Sequence, residues 1–234
     1  MTRGVALVTG ARGGLGQALI RRLREAKYDV IAHSRGPVRD ADADAAVRWL
    51  DGDLSDPVIA QRTVDQAGRI DLLVNNAADQ SLGALDALTA EDWAAMIGAT
   101  LMSAVNLAQA AHSTMGPGAS IINISSVEAT SPFPRHAHYA AAKAALESFT
   151  RSAAMEWGAA GVRVNAVAPG LIDRPGLDLD WPEGVAWWRR TSPLGRPVTP
   201  DEVADAVLFL ADASGVAGIV LPVDGGWSAS VQLG

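Results

Sequence analysis

Val5-Ala6-Leu7-Val8 runs without interruption into Thr9-Gly10-Ala11-Arg12-Gly13-Gly14-Leu15-Gly16, and this junction restricts the possible folds more than any other stretch of the chain. A short unbroken apolar run bounded by glycines is the form of a central parallel strand covered on both faces. Beyond the loop, Leu15, Ala18, Leu19, Leu23 and Ala26 recur at helical spacing, while Gln17, Arg21, Arg24 and Glu25 fill the other face. Strand, glycine loop and helix in that order predict a backbone that turns tightly and approaches a pyrophosphate. The unpaired amides and positive dipole end at the helix start favour its charge. The strand and helix on either side separate this loop from a merely flexible turn.

The same alternation continues. Val30-Ile31-Ala32 reads as the second strand and ends at His33-Ser34-Arg35. In dinucleotide folds an acidic residue here binds the ribose hydroxyls, whereas an arginine accommodates a 2′-phosphate. Ser34 and Arg35 bring no carboxylate, so NADP(H) is favoured over NAD(H), and Arg12 can add to that site. The Asp/Ala-rich segment Gly36 to Ala46 leaves little room for a crossover helix before strand three, Val47-Arg48-Trp49-Leu50. Asp53 and Leu54 at its end are placed to reach an adenine, with capping as the alternative role of Asp53. Ser55 or Asp56 ahead of Pro57 starts the next helix. Strand four, Ile70 to Val74, closes on Asn75-Asn76-Ala77-Ala78. Thr89-Ala90-Glu91-Asp92 resembles a capping box opening a long helix with Trp93, Met96, Ile97, Leu101, Val105 and Leu107. Ile121 to Ile124 and Val162 to Val167 give strands five and six, with a helix from Tyr139 to about Trp157 between them. From Pro169 to Pro197 the pattern becomes irregular, and residues 171–197 are read as a substrate lid. Thr199-Pro200-Asp201-Glu202 caps a helix through Ala211, and Gly218 to Val223 is the last strand. The prediction is an α/β fold: a doubly wound parallel sheet of about seven strands with helices on both faces, in a single domain spanning 1–234.

Composition narrows the partners. Twenty-six acidic against 19 basic residues give a net charge of −7, and no basic run offers a footprint for nucleic acid or an anionic membrane. A small-molecule substrate is expected. The absence of cysteine excludes disulfides and thiolate chemistry and is compatible with a reducing compartment. Val5 to Val8 is too short for a signal peptide, and no uninterrupted apolar run approaches about 18 residues, so a cytoplasmic protein is expected. No clustering of ligating residues suggests a metal site.

Chemistry concentrates between Ser126 and Lys143. Tyr139 and Lys143 are four residues apart across Ala140-Ala141-Ala142, so a helix places both on one face. An ammonium beside the phenol favours the phenolate and is expected to bring the tyrosine down from its ordinary value of about 10, making Tyr139 an acid and base. Ser126 follows a buried strand and emerges at its carboxyl end, where open α/β sheets bind ligands. Taken alone, a Tyr-x-x-x-Lys pair is more often a packing tyrosine with a snorkelling lysine. His136 and His138 flank the tyrosine and are in reach of a substrate, although loop histidines are more often solvated.

Together these markers resemble the short-chain dehydrogenase/reductase family. They are Thr9-Gly10-x-x-x-Gly14-x-Gly16, Asn75-Asn76-Ala77, Ser126 thirteen residues before Tyr139, Tyr139-x-x-x-Lys143, Asn165 with Pro169-Gly170, and Val223-Asp224-Gly225-Gly226. The resemblance covers essentially the whole chain and implies a Rossmann-like fold with a nicotinamide cofactor that delivers hydride to a carbonyl. It also implies that Tyr139 donates the proton, Ser126 orients the oxygen, and Lys143 holds the nicotinamide ribose. Gly10, Gly13, Gly14, Leu15 and Gly16 would cradle the pyrophosphate. Asn75, Asn76, Ala77 and Ala78 would line the adenosine side, and Pro169, Gly170 and Ile172 would flank the nicotinamide. Three positions depart from the family: Ala78 replaces the usual glycine, Asp173-Arg174 stands where threonine is common, and Thr100 replaces an asparagine of the long helix that fixes a relay water. The shorter threonine hydroxyl can still hold a water, so the proton relay is expected to be slowed or rerouted, and Asn106 is expected to face elsewhere. The resemblance implies a carbonyl reductase or alcohol dehydrogenase, forming a dimer or tetramer through the Tyr139 helix. An NAD-dependent enzyme with the same site and a nucleotide-binding sensor with little turnover remain the alternatives.

Overall fold

A computed structural model describes residues 2–37 and 46–230. Seven parallel strands form one sheet: β1 Gly4–Val8, β2 Tyr28–Ser34, β3 Arg48–Asp51, β4 Leu72–Asn75, β5 Ser120–Ile124, β6 Arg163–Pro169 and β7 Val220–Val223, in the order β3-β2-β1-β4-β5-β6-β7. The order reverses between β1 and β4, so the chain leaves these neighbours toward opposite faces and opens a crevice at their carboxyl ends.

Alternation along each strand sorts the core into two layers. Ala6, Val8, Val30, Ala32, Val74, Ile122 and Val167 face α1 (Gly14–Glu25) and α8 (Pro200–Asp212), whose Leu19, Leu23, Val203 and Val207 are buried against them. Leu7, Ile31, Leu73, Ile121 and Val164 face α2 (Pro57–Ala67), α4 (Ser103–His112) and α5 (Ala137–Trp157) on the other side. Asp56 caps α2 by accepting from Val58 N at 2.8 Å, and Thr89 and Asp92 form the expected capping box of α3 (Ala90–Ile97).

Three expectations change. Strand four begins at Leu72 and not Ile70, and the carboxylate of Asp71 just ahead of it accepts from Val5 N at 2.9 Å and pairs with Arg69. The helix after Thr89 is not uniform: α3 passes through a π-helical turn, Gly98–Met102, into α4. Residues 171–197 are not irregular, since they contain α6 (Leu177–Asp180) and α7 (Pro182–Thr191). Of the segment Gly36 to Ala46, residues 38–45 lie outside the described residues. The run Ala90–His112 has the length and mean hydropathy, 1.3, of a membrane span, but its Met96, Thr100, Leu107, Ala108 and Ala111 are buried in the fold as in a core helix.

Candidate active site

The carboxyl ends of the strands border a cleft of about 2100 Å³. That exceeds the several hundred Å³ of a pocket for one small ligand, leaving space for a dinucleotide and a second molecule. All the expected site residues line it except Thr100, Asn75 and His138.

At one end the glycine loop joins β1 to α1. Gly16 packs under the loop, where a Cβ would lie 2.4 Å from Gly10 O, whereas a Cβ on Gly14 would meet nothing within 4 Å. The first turn of α1 therefore faces open space with no side chain over it. Gly13 supplies no side-chain cap, and the turn carries no acidic residue. Free amides at the positive end of a helix dipole suit a pyrophosphate. Thr9 Oγ1 accepts from Asn76 N and Ala77 N, both at 2.9 Å, and Asn76 Nδ2 donates back to Thr9 O and Gly10 O. Asn76 thus staples two loops together, and its amide is spent on the protein. Asn75 points into the sheet and donates to Asn123 Oδ1 at 2.9 Å, so it does not line the adenosine side as expected.

Beyond β2, Arg12 donates to Gly36 O and Pro37 O and lies over Trp49, while Ser34 Oγ donates to Gly36 O at 2.8 Å. Arg35 is exposed at the rim. Asp53 does not cap α2, which is the task of Asp56, but braces the turn before it by accepting from Ser55 N at 3.0 Å and Ser55 Oγ at 2.8 Å, and Leu54 is buried beside it. His33, unremarked in the sequence, is buried here with neither ring nitrogen partnered, and burial pushes it down to about 4. Asn106 does face elsewhere, donating to Leu54 O and Ser55 O.

At the other end Ser126, Tyr139 and Lys143 converge. Ser126 ends the extended chain after β5 and caps a short 3₁₀ turn, Val127–Ala129, by accepting from Glu128 N at 3.1 Å. Tyr139 and Lys143 share the inner face of α5, with Lys143 Nζ 5.5 Å from the phenol ring centroid and donating to Ile124 O at 2.6 Å. The expected acidifying effect of the lysine is not found. Burial drives Tyr139 above its ordinary value, the Glu128 carboxylate adds to that, and hydrogen bonding with Ser126 and Gln80 only partly opposes it. Burial also pushes Lys143 down to about 7, so its own cation is weakened near neutral pH. Desolvation outweighs the pairwise attraction here.

Thr100 is wholly buried in the π turn, where its hydroxyl accepts from Asp79 N at 3.1 Å and donates toward Met96 Sδ at 3.3 Å. It lies outside the cleft and pins the loop carrying Gln80. The histidines are not solvated either. His136 stacks on Tyr139 with centroids 4.3 Å apart and bonds Glu128, while His138 packs edge-on against Trp93. Gln80 and Glu128 escaped the sequence reading, Gln80 because nothing local marks it and Glu128 because it reads only as the start of a turn.

Trp188 of α7 is buried and stacks on Trp227 at 5.4 Å, under Gly170, where a Cβ would lie 2.4 Å from the indole. Phe133, Trp187 and Trp227 meet at 5.7–6.0 Å and form an aromatic wall of the cleft. Trp181 is half-exposed at its edge.

A family model described as enoyl-(acyl carrier protein) reductase matches residues 10–228. The chain is 37% identical to an uncharacterized short-chain type dehydrogenase/reductase of Sinorhizobium fredii, over 98% of its own length and 44% of that protein's. The chain belongs to the short-chain dehydrogenase/reductase family. It therefore sits among oxidoreductases that bind nicotinamide dinucleotides. Within this family it is 35% identical to the 3-oxoacyl-(acyl-carrier-protein) reductase of Thermotoga maritima, over 95% of this chain and 96% of that one. A gluconate 5-dehydrogenase of Burkholderia cenocepacia, solved in complex with NADP and tartrate, superposes with a TM-score of 0.88 at 30% identity, covering 99% of this chain and 97% of that one.

Proposed function

We propose that this short-chain dehydrogenase/reductase is an NADP(H)-dependent enzyme interconverting a ketone or aldehyde and an alcohol, with Tyr139 as acid and base. The observation that carries this reading is the convergence of Ser126, Tyr139 and Lys143 in the cleft that also contains the open first turn of α1. Bound NADP(H) would supply the hydride for reduction and, in its oxidised form, take it up from an alcohol. Ser126 and Tyr139 hold the carbonyl oxygen, and Tyr139 gives it a proton or takes one from an alcohol. Lys143 holds the nicotinamide ribose, with Pro169, Gly170 and Ile172 beside the ring. Gly10, Gly13, Gly14, Leu15 and Gly16 cradle the pyrophosphate, while Leu54, Ala77 and Ala78 line the adenosine.

The preference for a 2′-phosphate rests on Arg12, Ser34 and Arg35 at the end of β2, a strand that itself ends without a carboxylate, with Asp53 close to Arg35. The relative solved with NADP supports the same choice. The aromatic wall of Phe133, Trp187 and Trp227 favours a small substrate with an apolar group beside its carbonyl, and residues 171–197 serve as its lid. Ala141, Ala144 and Met155 are exposed on the outer face of α5, which supports pairing with further copies as a dimer or tetramer. A cytoplasmic setting belongs to the same reading.

Tyr139→Phe tests the chemistry. With a panel of ketones and aldehydes, NADPH oxidation is expected to fall by about 10²-fold or more, while NADPH affinity stays within about twofold. A variant with near-normal turnover would place the proton donor elsewhere.

A further inference from the structure

His33 has no task in the hydride transfer proposed above, yet it stands in the wall of the same cleft, at the end where the dinucleotide is expected. The residue is only 2% exposed, and neither Nδ1 nor Nε2 has a hydrogen-bond partner among the described residues. A neutral imidazole carries one donor and one acceptor, and leaving both unmade in a buried place is costly. The backbone is held firmly all the same: His33 O accepts from Ala11 N of the glycine loop at 3.1 Å, and the residue pairs with Leu50 of β3 in the sheet.

The pleat of β2 indicates what would meet the ring. Successive side chains alternate between the faces of the sheet. Val30 and Ala32 belong to the layer under α1, and Ile31 to the layer that also contains Leu50 and Leu54. His33 follows Ile31 on that second face. Ser34 falls on the opposite one, where its hydroxyl and the Arg12 guanidinium both donate to Gly36 O. The group assigned above to Arg12, Ser34 and Arg35, the 2′-phosphate, is thus separated by the strand from His33, whose apolar neighbour Leu54 suits the flat face of a base. Charge points the same way. Burial keeps the imidazole uncharged down to about 4, with the Asp51 and Asp53 carboxylates only partly opposing it, and an uncharged ring favours a neutral base over a phosphate. Asp53 Oδ1, an acceptor at the same end, is already held by Ser55 N and Ser55 Oγ.

We propose that His33 reads the adenine base of the bound dinucleotide, one ring nitrogen accepting a hydrogen bond from the 6-amino group. It is a specificity-determining residue for the cofactor that acts on binding and not on hydride transfer. The inference rests on the reading of the cleft as a nicotinamide dinucleotide site, but not on the choice between NADP(H) and NAD(H).

NADP⁺ and its 1,N⁶-etheno derivative, whose bridged amine has no hydrogen to donate, are titrated calorimetrically into the wild type and into His33→Leu. The wild type is expected to bind NADP⁺ at least about tenfold more tightly than the etheno derivative. His33→Leu is expected to lose about tenfold in affinity for NADP⁺ while its affinity for the etheno derivative changes by less than about threefold. The cofactor-free variant is expected to melt no lower than the wild type, because leucine leaves no buried polar atom without a partner, whereas a packing role would lower its melting temperature. Should the leucine variant fail to fold, His33→Phe, which keeps a ring and loses both nitrogens, is titrated in the same way. Unchanged affinity for NADP⁺, or equal losses for the two dinucleotides, overturns the proposal and leaves the cofactor reading intact. A wild type that binds neither NADP⁺ nor NADPH overturns both.

Discussion

Lys143 carries an ionisable group where water does not reach, and the cost should be visible in stability. Below about pH 7 it is protonated in both the folded and the unfolded chain, so the folded state bears the full desolvation penalty. Between that value and the ordinary 10.5, the unfolded chain holds a proton that the folded chain has released, and stability therefore rises with pH across this window. Lys143→Met is expected to raise the stability of the cofactor-free protein at pH 7 by about 1–4 kcal/mol, to flatten that rise, and to abolish turnover. Urea denaturation at several pH values checks the first two. Thr100 makes the opposite case, a buried hydroxyl whose partners are all internal. Thr100→Val leaves the Asp79 amide without its acceptor and is expected to cost about 1–2 kcal/mol while cofactor affinity holds. Unchanged stability with a large loss of turnover would return Thr100 to the proton path.

At the scale of elements, α7 depends on one side chain. Trp188 fills the space between Gly170 and Trp227, and Trp188→Ala is expected to cost about 3–5 kcal/mol and to direct limited proteolysis into residues 171–197. Equal protection of the variant would mean that the segment is held elsewhere. That this segment folds into helices was hidden in the sequence, because its prolines and glycines break any long periodicity and its anchor, Trp227, lies far along the chain. The π turn was hidden for a related reason: its residues continue the helical pattern of α3 into α4. By contrast, the glycine loop, Ser126 and the Tyr139–Lys143 pair were legible, since short-range spacing on one strand end or one helix face carries them. Gln80 comes from the loop after β4, and Glu128 and the stacked His136 from the irregular connection between β5 and α5, so only tertiary packing brings them to the phenol. The direction of the tyrosine's shift was misread because burial, which decides it, is not a property of local sequence.

The whole molecule is organised by one topological fact: the sheet reverses its strand order between β1 and β4, and the glycine loop, the β2 end and the Ser126 turn all open onto the resulting crevice. Seven parallel strands were foreseeable from apolar runs alternating with amphipathic helices, and the family comparisons agree. Cofactor choice is decided at the far rim of that crevice, by Arg12, Ser34 and Arg35. The most direct test is a tryptophan-fluorescence titration of the purified protein with NADPH and with NADH, repeated on Arg35→Ala. It needs no known substrate. NADPH is expected to bind at least about tenfold more tightly than NADH, and Arg35→Ala to remove most of that preference, equivalent to about 1.4 kcal/mol. Equal affinities, or a preference that survives Arg35→Ala, would contradict the assignment of the 2′-phosphate to this rim. Binding of neither dinucleotide would contradict the enzyme reading itself.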